Sequence, residues 1–207
     1  MFDQKKDTLP LTLLILTIIL LILTGYNPAA GRLSWLLEVL PAIIGIIALI
    51  VTYKRFQFSS WVYCCIFLHI LVLIYGGYYT YAKTPLGNLV KDFFELSRNH
   101  YDRLGHFVQG FFPAFIIREI YVRHIKIKQK GWLIFLIIAT ALALSAFWEL
   151  IEWWSVYLVA PDVGIAFLGS QGDIWDAQWD MFLALIGASL ALLFFSKLHD
   201  KSMNKVK

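Results

Sequence analysis

Apolar residues run along this chain in long continuous blocks rather than in alternation. A strand buried on one face alternates with period two, and a surface helix repeats every three to four residues. Neither rhythm dominates here. A helix needs about 20 apolar residues to cross a bilayer core of roughly 30 Å. In lipid its backbone must also satisfy its own hydrogen bonds. The blocks predict six transmembrane helices, over about 9–26, 35–53, 60–81, 104–122, 131–159 and 176–198. The expected fold class is all-α, a polytopic membrane protein with one transmembrane domain over 1–207. Pro28-Ala29-Ala30 has the small residues of a signal-peptide cleavage site. No soluble region follows it, so helix 1 is expected to stay as an anchor.

One stretch has a different rhythm. Leu86, Leu89, Val90, Phe93 and Phe94 recur at helical spacing, and Asn88, Lys91, Asp92, Glu95 and Arg98 take the other face. Thr84 is placed to cap this helix and Pro85 to start it. Residues 84–98 are therefore expected to form an amphipathic helix on the outer surface, as a connector or as a lid over a site.

Composition agrees with a membrane protein: 59% hydrophobic, 15% charged, mean hydropathy +0.68. In a soluble chain the net charge of +4 would raise nucleic acid as a partner. Here the basic residues sit in short loops, which excludes that reading and sets orientation instead. With the N-terminus inside, thirteen of the 18 Lys and Arg fall in inner segments, Lys5, Lys6 and Lys207 among them. Both termini are then cytoplasmic. Cys64 and Cys65 are adjacent in an apolar block, point apart on a helix, and are read as ordinary small hydrophobes.

Rings mark the outer boundary in the same topology. Tyr78, Tyr79, Tyr81, Trp148, Trp153, Trp154, Tyr157, Trp175 and Trp179 all fall there, as an interface belt or as walls of a groove.

The acidic residues carry the chemical signal. Ten of the 14 Asp and Glu lie in the outer half, Glu38 among them. An ionised carboxylate at that depth costs several kcal/mol unless paired or hydrated. Three clusters stand out. Asp102 and His106 are four apart, so they share a helix face, and Gln109 and Gly110 continue it. Glu149 and Glu152 are three apart and repel unless a cation, a proton or a base such as Arg98 or Arg103 separates them. Asp173, Asp176 and Asp180 form a stripe at the start of helix 6, where negative charge suits a helix N-terminus. The bland readings are a helix cap for Asp102 and for Asp173, a hydrogen bond within the bundle for His106, and ion pairs for Glu149 and Glu152.

Together, His106 with Glu149, Glu152, Asp176 and Asp180 makes a ligand set suited to a divalent cation. Asp102, His106, Glu149, Glu152 and Asp180 are equally an acid–base set. The spacing matches no established metalloenzyme motif. The inner half offers nothing comparable. His124 and His199 are read as solvated, Glu119 with Arg118 as a pair at the interface, and His69 as a hydrogen-bonded bundle residue outside the site.

The stretches His100-Tyr101-Asp102-Arg103-Leu104-Gly105-His106-Phe107, Glu149-Leu150-Ile151-Glu152-Trp153-Trp154 and Gly169-Ser170-Gln171-Gly172-Asp173-Ile174-Trp175-Asp176-Ala177-Gln178-Trp179-Asp180-Met181 resemble the YjdF-like bacterial inner-membrane proteins. That resemblance covers nearly the whole chain and implies the bacterial cytoplasmic membrane, without implying an activity. More distantly, Asp102 to Phe107 is similar to the Asp-Lys-x-x-His-Phe stretch of the VanZ-like proteins linked to glycopeptide-antibiotic resistance. Arg103 replaces the Lys, Asp180 takes the position of an Asn, and Gly187 falls near a family glycine.

Three functions fit these residues. One is a membrane-embedded, metal-dependent hydrolase or transferase acting at the outer face on a lipid-linked or envelope substrate, with Asp102 orienting His106. The second is a cation- or proton-coupled transporter. Against it stand the lack of paired repeats and of broken helices. The third is a non-catalytic accessory protein that binds lipid or a partner.

Overall fold

The computed structural model describes residues 8–206, so Lys5, Lys6 and Lys207 lie outside it. Among the described residues the chain is helical with no strand: α1 (Leu9–Tyr26), α2 (Arg32–Thr52), α3 (Ser60–Tyr79), α4 (Pro85–Phe93), α5 (Tyr101–Glu119), α6 (Lys130–Leu158), α7 (Pro161–Leu168) and α8 (Asp176–Met203). A 3₁₀ turn covers Tyr81–Lys83, and a π turn at Ile120–His124 ends α5.

Five helices are long and apolar enough to cross a membrane: α1, α2, α3, α6 and α8. Helix α5 differs. Its 19 residues give about 28 Å of rise at ~1.5 Å each, close to the hydrocarbon thickness. It is too polar to face lipid, and eleven of those residues are buried. Instead it packs on α8, α3 and α6, with α8 as its main partner.

Small residues bring α5 and α8 together. A Cβ on Gly110 would run into the backbone of Ala184, and one on Gly187 into the carbonyl of Phe107. Ala184, Ala188 and Ala191 continue the stripe on α8, all fully buried. Close backbone approach through small residues is how helices associate where lipid removes the hydrophobic drive. Deeper along the same axis, Phe115, Ile137, Val62 and Ala188 form the main apolar core. A second core of Val39, Ala42, Ile46, Ile70 and Ile74 joins α2 to α3.

Several expectations need correction. Residues 84–98 form a shorter helix, α4. Thr84 makes no side-chain cap bond; Asn99 holds it instead through Nδ2–H···O=C at 3.0 Å. The link after α6 contains α7, where only a loop was expected. Tyr81 is buried against Gly76 and Gly105 and is not part of a belt, whereas Trp153, Trp154, Tyr157, Trp175 and Trp179 are exposed.

His199 is not solvated: both it and Glu119 are wholly buried. Glu119 Oε1 accepts the Ser59 N–H at 2.7 Å and also pairs with Arg123. Glu119 Oε2 accepts the Ser59 hydroxyl at 2.6 Å and faces His199 Nε2 at 2.9 Å. Arg118 does not pair with Glu119; it bonds Asp200 at 2.7 Å. The end of the bundle opposite the Asp/His cluster thus has a polar network of its own, tying α3, α5 and α8.

Candidate functional site

The Gly169–Asp176 turn builds the site's outer edge. Arg98 Nη1 donates to Asp176 Oδ1 at 2.5 Å and to the Ser170 carbonyl at 3.0 Å, and Nη2 donates to the Gly169 carbonyl at 3.3 Å. Arg103 donates to Asp173 Oδ2 at 2.5 Å. Gln171 has φ +48°, a left-handed conformation that costs a non-glycine residue about 1 kcal/mol or more. Its amide offsets that by clamping Asn99, accepting the N–H at 3.1 Å and donating to the carbonyl at 2.8 Å. Gly169 has φ +66° and lies so near α5 that a Cβ would stand 3.2 Å from Asp102 Oδ2. The two arginines are therefore used up by Asp173 and Asp176. Asp176 is held by Arg98 and does not stand among the candidate ligand atoms.

Beneath this edge the carboxylates meet one imidazole. His106 is 3% exposed. Its Nε2 lies 3.7 Å from Asp102 Oδ1, and its Nδ1 lies 3.4 Å from Glu149 Oε1. These separations exceed a hydrogen bond of about 2.7–3.2 Å. Asp102, His106 and Asp180 can bring ligand atoms within 4.8 Å of one another, and so can His106, Glu149 and Glu152. His106 Nδ1, Glu149 Oε1 and Asp180 Oδ1 are buried without a hydrogen-bond partner. Among the described residues, no Lys or Arg forms an ion pair with Asp102, Glu149, Glu152 or Asp180. The bases expected to neutralise Glu149 and Glu152 are engaged elsewhere.

A cavity of about 60 Å³ adjoins the cluster, bounded by Glu38, His69, Tyr81, Asp102, His106 and Glu152, with Pro41 and Trp148 among its other walls. One water needs roughly 10–15 Å³ on this measure. The space therefore suits an ion with a few waters, or a small headgroup. The donor set fits a divalent cation: two ligands at about 2.0–2.2 Å from one ion stand no more than about 4.4 Å apart, and both His106–carboxylate separations satisfy that. No residue of 84–98 lines the cavity.

The family model described as predicted membrane protein DUF2238 matches residues 9–201. The chain belongs to the DUF2238 family. It is also 44% identical over 187 residues to inner membrane protein YjdF of Escherichia coli (strain K12), covering 90% of this chain and 88% of that one. No solved structure matches significantly. This DUF2238 protein is accordingly an integral inner-membrane protein. Neither match bears on the similarity to VanZ-like proteins.

Of the residues expected at the site, the DUF2238 chain brings Asp102, His106, Glu149, Glu152 and Asp180 together, and sets Asp176 one step outward with Arg98. Glu38, His69 and Tyr81 were missed as cavity residues. His69 was placed outside the site, yet its ring lines the cavity with Nε2 buried and unpartnered. Glu38 and His69 did carry a signal, each being a lone ionisable residue in an apolar block. Beside the cluster, burial and then the charges of Arg103 and Arg98 hold the His100 imidazole below its usual range.

Proposed function

We propose that this protein is a membrane-embedded, divalent-cation-dependent hydrolase or transferase acting at the outer face on a lipid-linked or envelope substrate. The observation that carries this reading is the buried His106 ring between Asp102 and Glu149, with three polar atoms left without partners. Buried polar groups in native proteins are nearly always satisfied, so these atoms beside the cavity are where an ion or an ordered water would bind. A bound divalent cation would supply a Lewis acid and an activated water. Asp102 would fix the orientation of His106. A carboxylate of the set not engaged with the ion would move the proton. The orientation, with both termini inside, belongs to the same proposal and rests on the loop charges.

A membrane-dissolved substrate would reach the cavity between two of the helices that wall it. The cavity takes walls from α2 (Glu38, Pro41) and from α6 (Trp148, Glu152). Helix α2 packs on α1, α3 and α7, while α6 packs on α5, α7 and α8. Helix α7 packs on both α2 and α6. An opening between α2 and α6, below α7, would face the acyl chains.

A transporter has one observation in its favour, the buried Glu119–His199 network at the far end. His106 and Glu119 are separated by about 20 Å along α5, at ~1.5 Å per residue. Phe111 and Phe115 on α5, with Ala188 on α8, fill much of that interval. A proton or cation path should be lined with polar groups throughout, so the enzyme reading is favoured.

The test is turnover of inner-membrane lipid extract by the purified protein with Zn²⁺, Mn²⁺ or Mg²⁺, read by mass spectrometry. A cation-dependent product that disappears in His106→Ala is expected. An unchanged extract with every cation, alongside cation uptake by reconstituted vesicles, would favour transport. An unchanged extract without uptake would favour an accessory role.

A further inference from the structure

We propose that the cluster holds two divalent cations, one at each nitrogen of the His106 ring. This rests on the cation-dependent reading above. The two candidate ligand trios share His106 and nothing else: Asp102 with Asp180, and Glu149 with Glu152. Asp102 faces Nε2 and Glu149 faces Nδ1. Ring nitrogens direct their lone pairs away from each other, so one ion cannot sit on both. The trios therefore describe two positions.

Each position has its own unpartnered buried atom. In the trio with Asp102 it is Asp180 Oδ1, in a side chain 1% exposed. On the opposite side they are His106 Nδ1 and Glu149 Oε1. Charge favours the pair as well. Four carboxylates surround the ring without a Lys or Arg partner among the described residues. One divalent ion compensates two of them and leaves the others to take up protons or meet a second ion, since uncompensated charge is costly there. A second ion compensates the rest. Each His106 nitrogen then acts as a ligand, the ring gives up its side-chain bond to Gln109, and its N–H proton is released to water as the second ion binds.

Glu38 lies outside both trios but lines the adjoining cavity. It is placed to face whatever enters beside the two ions. The ligand class is divalent cations that accept one imidazole nitrogen and carboxylate oxygens.

The deciding experiment is a Mn²⁺ titration of the chelator-stripped, full-length protein in detergent. Bound equivalents and the electron paramagnetic resonance spectrum are read together. About two equivalents with a spin-coupled spectrum are expected, as for neighbouring ions. Asp180→Asn and Glu152→Gln should each keep about one equivalent, now magnetically isolated. The two variants report separately, so misfolding of one leaves the other to decide. One isolated ion in the parent would overturn the two-cation proposal and leave the single-cation reading standing. No bound Mn²⁺ would overturn both.

Discussion

Arg98 and Asp176 are 78 residues apart in the chain, and their side chains meet at 2.5 Å. Both are buried. This pair pins the segment before α5 to the first turn of α8, and Arg98 also holds the carbonyls of Gly169 and Ser170. Removing one partner leaves a buried charge alone, which typically costs about 3–5 kcal/mol. Arg98→Ala should therefore lower the thermal midpoint of the detergent-purified protein by many degrees. Arg98→Lys should rescue little of it, because an ammonium group cannot reproduce the guanidinium fork. A midpoint unchanged in Arg98→Ala would show that the pair does not hold the site's outer edge.

The α5–α8 contact makes a second prediction. Gly110→Ala and Gly187→Ala each push a methyl group into backbone atoms of the facing helix, which cannot move aside as a flexible side chain could. Overpacking of this kind costs about 1–3 kcal/mol or more. Gly45→Ala, where a Cβ meets nothing within 4 Å, is the control and should be neutral or slightly stabilising. Thermal melts of the three variants in one detergent would check the ordering. Equal midpoints would mean that the backbones do not touch.

Glu119 should behave as a structural residue. Its two oxygens take bonds from Ser59, His199 and Arg123, which leaves no orphan for a ligand. Glu119→Gln loses the charge-assisted bonds and should cost about 2 kcal/mol or more. Cation content and turnover at the far end should stay as in the parent. A variant of normal stability that had lost function would revive the transport reading.

The membrane-spanning blocks were legible because lipid demands long apolar runs, and α1, α3 and α6 fall within two residues of their expected bounds. The carboxylate clusters were legible because residues three or four apart must share a helix face. Asp102 with His106, and Glu149 with Glu152, are cases of that rule. Glu38, His69 and Tyr81 were not seen as a group because each comes from a different element, and no spacing links them. The partner of Arg98 was equally hidden. Glu149 and Glu152 were the expected partners, and only the turn at Gly169–Asp173 decides that Asp176 receives it. His199 was misread because α8 runs on to Met203, past the expected end at 198, which carries the ring into the bundle beside Phe115.

The central claim is that His106 and its carboxylates hold a divalent cation. The most direct test is the metal content of protein purified in detergent from metal-replete cells, read by elemental mass spectrometry beside His106→Ala and Glu149→Gln. The account predicts at least about one equivalent in the parent, with most of it lost in His106→Ala and part of it lost in Glu149→Gln, while their melting midpoints stay close to the parent's. Loss should be deeper in His106→Ala, which removes the ligand shared by both trios. A parent without metal, or variants that retain it in full, would contradict the account.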